Sequence, residues 1–144
     1  MVLEGLVRIY FTRQDGEEKT FYFAAEGEFA TDYESTLRGL PSKYSIDALE
    51  DSVIATISAA ALQELFVTLK EGDKLGRSIV EKYFFIWSER IADFYMHTPI
   101  ERYHNMCRDY PYIIQRVPQY YIASYLNIST VHLSRIKSGS LTSN

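Results

Sequence analysis

The sequence predicts an α+β protein in which a strand-rich N-terminal segment precedes a long helix and a C-terminal group of short helices. Three observations support this fold class. Residues 5–57 contain short runs of β-branched and aromatic residues separated by turn residues. Residues 73–96 form the longest segment with helical periodicity. Residues 117–137 carry apolar side chains at helical spacing on both sides of a short polar turn.

The strand-rich segment begins with a predicted hairpin. Residues 5–11 and 19–23 are rich in β-branched and aromatic side chains, and the dipeptide Asp15-Gly16 lies between them. An Asp-Gly pair between two such runs is typical of a tight hairpin turn. The sequence therefore predicts two antiparallel strands near the start of the chain.

Two further strands and two short helices complete the predicted N-terminal segment. Residues 44–49 and 53–57 predict strands separated by an acidic turn, and residues 31–40 have a helix-compatible composition. Ser58 is expected to cap a helix over residues 59–69. The inner face of that helix is expected to carry Leu62, Leu65 and Phe66.

Residues 73–96 predict a helix that is apolar on more than one side. A helix of this length spans roughly 36 Å at about 1.5 Å per residue. Its apolar side chains form two stripes, which is more apolar surface than a helix with one side in water carries. We expect one stripe to pack on the strands and the other on a second copy of the chain, the alternative being a fully buried helix in a monomer. The residues expected to hold this dimer are Ile79, Tyr83, Ile86, Trp87 and Phe94.

Residues 117–137 predict two short helices joined by a tight turn. Asn127 lies at the chain reversal, where a left-handed backbone conformation is needed that Asn tolerates better than most residues. Ser129 is expected to cap the second helix by accepting from its free N–H groups. The small Ala123 lets the helices approach closely. The apolar side chains expected between them are Ile122, Leu126, Leu133 and Ile136.

This pair of helices resembles the helix-turn-helix of bacterial transcription regulators. Counting from Gln119, the small residue Ala123 is fifth and Asn127 is ninth, where the family usually has Gly. The resemblance implies that the second helix enters the major groove of DNA, where Arg135 can present two donors to a guanine. The alternative is an ordinary helical hairpin that packs and binds no DNA. The residues implied to contact DNA are Ser129, Thr130, Val131, Ser134, Arg135 and Lys137.

The order of these segments resembles the Crp/Fnr (cyclic-AMP receptor protein) family of regulators over essentially the whole chain. The run Gly5-Leu6-Val7-Arg8-Ile9-Tyr10 is similar to that family's glycine-led strand, and residues 25–29 and 41–58 to the segments around its phosphate-binding cassette. The family's β roll normally begins several strands before Gly5. We therefore expect a fragment, or a roll whose open edges are covered by a partner copy. The polar tail over residues 138–144 leaves no room for the family's β wing.

The resemblance also implies a degenerate ligand cassette. Nucleotide-binding members have a Gly-Glu pair where this chain has Thr31-Asp32, and an Arg where it has Ser42. A buried phosphate without a cationic partner costs several kcal/mol, so cyclic nucleotide is not expected as a cofactor. Lys43 is a weak substitute because neighbouring strand residues point to opposite faces. The segment could line a pocket for another ligand, or Asp32 could merely cap a short helix. The candidate pocket residues are Thr31, Asp32, Tyr33, Ser42 and Lys43.

Charge is divided unevenly along the chain. Residues 1–98 hold 10 Lys and Arg against 17 Asp and Glu, whereas residues 99–144 hold 5 against 2. An acidic segment therefore precedes a mildly basic one, as expected if only the C-terminal part contacts phosphate. A net charge of +3 in that part is modest, and DNA binding is expected to need two copies of it.

Composition excludes several classes of protein. No run is long and apolar enough for a transmembrane helix and no secretory leader is evident, so we expect no membrane partner and a cytoplasmic location. The lone Cys107 cannot form an internal disulfide and is expected to be a small buried residue. The three histidines are scattered, and neither a phosphate loop nor a nucleophile motif occurs. The sequence therefore predicts no metal site and no enzyme.

These observations predict a homodimeric, sequence-specific DNA-binding transcription regulator resembling the Crp/Fnr family. Its predicted parts are an incomplete cyclic-nucleotide-binding-like β roll over residues 1–72, a dimerisation helix over residues 73–97 and a helix-turn-helix domain over residues 98–144. DNA, a second copy and a small-molecule effector of unidentified chemistry are the expected partners. The alternative is a dimeric ligand-sensing or protein-interaction module that no longer binds DNA.

Overall fold

The computed structural model describes residues 1–140, in which the chain forms two compact units. The first unit joins Met1–Ala55 to the C-terminal segment that begins at Pro99, and the second is Thr56–Thr98. The predicted domain boundaries at residues 72 and 97 stay predictions. The last four residues of the predicted wingless tail lie outside the described part of the chain.

A small β module, residues 1–55, forms the N-terminal half of the first unit. Its three-stranded antiparallel sheet has the order β3-β2-β4, and β1 pairs with β5 in a separate two-stranded sheet. The predicted hairpin is confirmed as the pairing of β2 with β3. The elements of the module are β1 (Val2–Glu4), β2 (Val7–Thr12), β3 (Glu18–Ala24), α1 (Tyr33–Arg38), β4 (Ser45–Ala48) and β5 (Val53–Ile54).

The strand prediction was wrong in one respect, because strand β1 precedes the predicted first strand, which begins at Gly5. The predicted strands over residues 44–49 and 53–57 are confirmed as β4 and β5, which lie in different sheets. Gly5 separates the sheets with a φ of 96°, and a side chain there would clash with Ser52. Only glycine combines this backbone conformation with so close an approach.

The C-terminal segment contributes four short helices that share one core with the β module. Leu6 and Phe23 of the module are buried together with Met106, Ile122 and Leu133 of the helices. Burial of apolar surface therefore holds the two halves of this unit together. The helices are α4 (Pro99–Asp109), α5 (Pro111–Arg116), α6 (Gln119–Leu126) and α7 (Thr130–Lys137).

The second unit is a pair of helices, α2 (Ala59–Thr68) and α3 (Gly72–Met96). The predicted cap is confirmed, because the Ser58 hydroxyl accepts from the Ala61 amide at 3.1 Å. Leu62, Leu65 and Phe66 are the half-buried residues of α2, as predicted. Among the described residues, no helix is long and apolar enough to cross a membrane.

Candidate DNA-binding surface and ligand segment

Helices α6 and α7, the helical pair, meet at a tight turn whose geometry the sequence predicted. Asn127 has φ 53° and ψ 46°, the left-handed conformation expected at the reversal. The amide of Ile128 donates to the Ala123 carbonyl at 3.0 Å, which closes the end of α6. The Ser129 hydroxyl accepts from the His132 amide at 3.1 Å and caps α7. Both local predictions are confirmed.

Arg102 on α4 supports this turn from the interior. Its Nη2 donates to the Leu126 carbonyl at 3.1 Å, and the side chain is buried. A cation at the C-terminus of a helix satisfies a carbonyl that the helix leaves open and opposes the negative end of the helix dipole. This contact joins residues 24 positions apart, a separation about which helical periodicity gives no information.

The six side chains predicted to contact DNA lie on the solvent-facing side of the α7 segment. Leu133 and Ile136 are buried in the core, and the opposite face of the helix is open. Val131 is 59% exposed. The remaining members of the set, Ser129, Thr130, Ser134, Arg135 and Lys137, are also exposed.

Three of the five basic side chains of the C-terminal segment are engaged within the protein. Arg102 is buried, Arg108 pairs with Asp109 at 2.7 Å, and Arg116 contacts Glu26 and Glu50. Within residues 1–140, the other two, Arg135 and Lys137, have no acidic partner within ion-pair distance. Within the described part of the C-terminal segment, the cations available to a phosphate therefore both lie on α7.

The predicted ligand segment forms a closed network centred on Asp32. Its Oδ1 accepts from the Ser35 amide at 3.1 Å and caps α1, while Oδ2 accepts from the Ser42 hydroxyl at 3.1 Å and the Lys43 amide at 3.2 Å. Burial alone would raise the pKa of Asp32, but these hydrogen bonds outweigh it and the pKa is lowered. Both carboxylate oxygens thus already serve the chain's own donors.

The other candidate pocket residues surround this network. The Ser42 hydroxyl also accepts from the Tyr44 amide at 3.0 Å, and Lys43 Nζ lies 3.0 Å from Glu34 Oε2. Thr31 faces Thr36, with 3.4 Å between their hydroxyl oxygens. Tyr33 is the first residue of α1 and is partly exposed. The structure therefore brings Thr31, Asp32, Ser42 and Lys43 into one small region around α1.

Sequence reasoning missed a buried arginine that joins the strands to α6. Arg8 on β2 is 1% exposed. Its guanidinium carbon lies 3.9 Å from the centre of the Tyr10 ring and 3.8 Å from that of Tyr121. Its Nη2 lies 2.6 Å from Glu18 Oε2 and 2.7 Å from Asp47 Oδ2. These five residues are called the Arg8 cluster below. Its one signal in the sequence is a charged residue within an otherwise apolar strand.

The long helix α3 carries exposed apolar side chains in a single copy of the chain. Phe84 is 62% exposed and Ile91 is 59% exposed. Of the residues predicted to hold a dimer, Tyr83 is buried, whereas Ile79, Ile86, Trp87 and Phe94 are half-buried. The rings of Tyr83 and Trp87 contact each other, with 6.0 Å between their centres.

Two further predictions concern residues outside these regions. Cys107 is a free thiol but is only partly buried, so the expectation of a buried residue was wrong. Burial and a hydrogen bond with Cys107 raise the pKa of the neighbouring Tyr103 to about 12.

The search for metal-ligating side chains concerns the described part of the chain. Residues 1–140 contain no group of three His, Cys, Asp or Glu side chains placed to hold a metal ion.

Comparison with known proteins places the chain among folds already solved. Residues 1–68 match the family model of the cyclic nucleotide-binding domain. A regulator assigned to the Crp/Fnr family from Eubacterium rectale superposes with a TM-score of 0.75 at 15% identity, over 96% of this chain and 67% of that one. The fold is that of the Crp/Fnr regulators.

Two other regulators share the Crp/Fnr fold. FixK2 from Bradyrhizobium japonicum superposes with a TM-score of 0.81 at 15% identity, over 96% of this chain and 72% of its own. The c-di-GMP-responsive global regulator CLP from Xanthomonas campestris gives 0.69 at 17% identity, over 99% and 79%. No curated protein matches the chain significantly in sequence. At 15% and 17% identity, the similarity to these two regulators shows the fold of the chain.

Proposed function

We propose that this chain is a sequence-specific DNA-binding transcription regulator of the Crp/Fnr type, acting in the cytoplasm as a homodimer without control by cyclic AMP. The observation that carries the proposal is the exposed face of α7, on which Arg135 and Lys137 stand free of acidic partners within residues 1–140. In this function the helical pair is a helix-turn-helix, and α7 is its recognition helix.

The side chains of α7 divide into two roles in this proposal. Arg135 donates two hydrogen bonds to the O6 and N7 of a guanine, the commonest base-specific contact in the major groove. Ser129, Thr130 and Lys137 contact phosphate oxygens, which fix the register without specifying sequence. Val131 and Ser134, both exposed on the same helix, complete the surface that faces the base edges.

A second copy of the chain is the expected partner of α3. Val80, Phe84, Trp87, Ile91 and Phe94 alternate in spacings of four and three residues, the pattern of a coiled-coil seam. Val80, Phe84 and Ile91 are the exposed members of this seam and are therefore available to the partner. A dimer formed through α3 brings two recognition helices to one DNA site.

The small number of cations on α7 also favours a dimer. One copy offers two unpaired cations on α7, which would release few counterions from DNA. Two copies double that number, and they bind half-sites of a near-palindrome about one helical turn apart. Specific affinity therefore depends on dimerisation.

The ligand segment supports the proposal that cyclic AMP is not the effector. Ser42 has no charge to offer a cyclic phosphate, and Asp32 has both oxygens engaged by Ser35, Ser42 and Lys43. A ribose hydroxyl would have to displace one of these contacts. A small-molecule effector of another class stays part of the proposal, acting on the β module.

Titration of duplex DNA at several salt concentrations tests the DNA-binding function. A duplex selected by the wild type from a random pool is compared with an unselected duplex of equal length. Arg135→Ala should lower affinity for the selected duplex by about 10- to 100-fold and reduce its preference over the unselected one. Lys137→Ala should weaken binding to both duplexes alike.

Lys74→Ala serves as the matched control, because Lys74 is an exposed cation on α3. Equal weak binding of every duplex by wild type, Arg135→Ala and Lys74→Ala would instead identify a dimeric module that binds no specific DNA. Calorimetry with cyclic AMP tests the effector separately, and we expect no binding at micromolar concentrations. Micromolar affinity would overturn the interpretation of Ser42.

A further inference from the structure

We propose that Arg8 is a positioning residue for DNA binding, because the Arg8 cluster fixes the helical pair to the β module in one orientation and links strand β4 to helix α6. This inference rests on the proposed DNA-binding function and names the contact on which its geometry depends. The cluster joins four elements of the structure. Strand β2 contributes Arg8 and Tyr10, and the other three residues are Glu18 on β3, Asp47 on β4 and Tyr121 on α6.

The shape of the guanidinium explains why this cluster defines an orientation. The group is planar, and its carbon lies 3.9 Å from the centre of the Tyr10 ring and 3.8 Å from that of Tyr121 while Nη2 donates to Glu18 and Asp47. Tyr121 cannot slide along the sheet without leaving the face of Arg8. Burial alone would lower the pKa of Arg8, but the hydrogen bonds to Glu18 and Asp47 outweigh it and the pKa is raised, so the charge persists.

A second contact holds α6 at the edge of the same sheet. Strand β3 is an outer strand, so backbone groups on its free side need partners other than a strand. The Ser124 hydroxyl accepts from the Thr20 amide at 2.9 Å and donates to the Glu18 carbonyl at 3.2 Å. One small side chain of α6 thus satisfies both backbone groups, and it does so only while the helix stays in place.

The docked orientation leaves the recognition face open. With the Arg8 cluster formed, Thr130, Val131, Ser134 and Arg135 are all exposed. The cluster therefore holds the helical pair ready for DNA and does not block it. Without the cluster, the helical pair would be free to change orientation in the absence of DNA. Binding would then have to order it, and the entropic cost of that ordering would lower affinity for the specific site.

The cluster also connects the ligand segment to α6. Ser42 and Lys43 contact Asp32, and the chain continues from them into β4, which carries Asp47. A ligand that rearranged residues 42–44 would move β4 and with it one of the two carboxylates that hold Arg8. The Arg8 cluster is thus a route within one copy of the chain from the β module to the recognition helix.

Arg8→Met tests the inference, with Tyr121→Phe as the matched control that keeps the ring on Arg8. Glu18 and Asp47 have side chains 45% and 41% exposed, so water can solvate them when the arginine is removed and the variant can fold. Hydrogen exchange of the Thr20 amide is measured without DNA. We expect exchange to rise about 10-fold in Arg8→Met, the order of effect of two lost cation–π contacts. Tyr121→Phe should match the wild type.

The same variants are then titrated with the selected and unselected duplexes. Arg8→Met should lower the ratio of the two affinities about 10-fold, while the salt dependence stays unchanged because Arg135 and Lys137 are intact. Arg8→Lys keeps the charge but not the planar group, and its ratio of the two affinities should lie between those of the wild type and Arg8→Met. If Arg8→Met does not fold, Tyr121→Leu removes one face of the cluster and should give the same changes.

Unchanged Thr20 exchange in a folded Arg8→Met or Tyr121→Leu variant would overturn the inference. Equal loss of affinity for both duplexes, together with a lower melting temperature, would also overturn it by showing a purely structural role. A wild type that selects no sequence from the pool would refute the DNA-binding function. In that case the exchange measurement still decides whether Arg8 fixes the helical pair.

Discussion

Arg116 at the end of α5 forms a two-pronged ion pair with Glu26 in the turn after β3. Its Nη2 lies 2.8 Å from Oε1 and its Nη1 lies 3.1 Å from Oε2. Arg116 also contacts Glu50, near the end of β4. One guanidinium thereby joins two turns of the β module to the C-terminal helices. Arg116 is 90 positions from Glu26 and 66 positions from Glu50 in the chain.

Stability should fall in acid as this ion pair is lost. Hydrogen bonds from Arg116 lower the pKa of Glu26 to about 2 from its ordinary value of 4.5. Because the folded-state pKa is the lower one, the stabilisation is complete above pH 4.5 and is lost as the pH falls toward 2. We expect Glu26→Gln to be less stable than the wild type at pH 7, and the difference to shrink between these two values.

Urea denaturation at a series of pH values measures this difference. The glutamine keeps an oxygen that can accept from the Gly5 amide, so the variant isolates the charge. Glu64→Gln, which alters an exposed carboxylate on α2, is the control and should track the wild type across the series. A wild-type advantage over Glu26→Gln that stayed constant down to pH 2 would contradict the assignment.

Asn127→Ala should destabilise the first unit. Asn127 holds a left-handed conformation, which costs residues other than Gly and Asn roughly 1–2 kcal/mol. We expect a loss of about 1 kcal/mol in the free energy of unfolding for alanine and no loss for Asn127→Gly. Chemical denaturation checks both variants, and equal stability of Ala and Gly at this position would argue against the turn.

Ser129→Ala should remove the cap of α7. The hydroxyl accepts from the His132 amide, and loss of such a cap typically costs about 1 kcal/mol. Ser129→Asp restores an acceptor beside the helix N-terminus and should retain stability. Ser134→Ala is the control, since Ser134 lies within the same helix and is not its cap; its effect should stay within about 0.5 kcal/mol. Thermal unfolding distinguishes these outcomes.

Ile91→Glu should disrupt the proposed dimer. A carboxylate at the seam of α3 would lose water on association, which raises the dissociation constant by at least about 100-fold. Sedimentation equilibrium measures the change from dimer to monomer. Val67→Glu is the control because Val67 is 84% exposed on α2, outside the proposed seam. A wild type that stays monomeric at all concentrations would remove the basis for paired recognition helices.

The sequence predicted the features that a few neighbouring residues determine. The conformation of Asn127, the caps at Ser58 and Ser129 and the hairpin turn each depend on residues within a few positions of one another. Such features follow from backbone sterics and local hydrogen bonds. The solvent-facing side of α7 followed equally well from its helical periodicity.

The features that it missed depend on residues far apart in the chain. Strand β1 was overlooked because it has three residues, and its partner β5 lies some 50 positions later in the chain. The contact of Ser124 with Thr20 joins residues 104 positions apart, and the Arg8 cluster joins β2 to α6 over a similar separation. Neither periodicity nor motif spacing carries information on such pairs, so the shared core was also not predicted.

The N-terminal β module and the C-terminal helices complete one core, so the core cannot form until both have been synthesised. The β module leaves the ribosome before residues 99–137 exist, and Leu6 and Phe23 stay in water until those helices arrive. Long-range contacts of this kind slow folding and prolong the exposure of aggregation-prone strands. The β module and the C-terminal helices therefore reach their native structure in the same folding event.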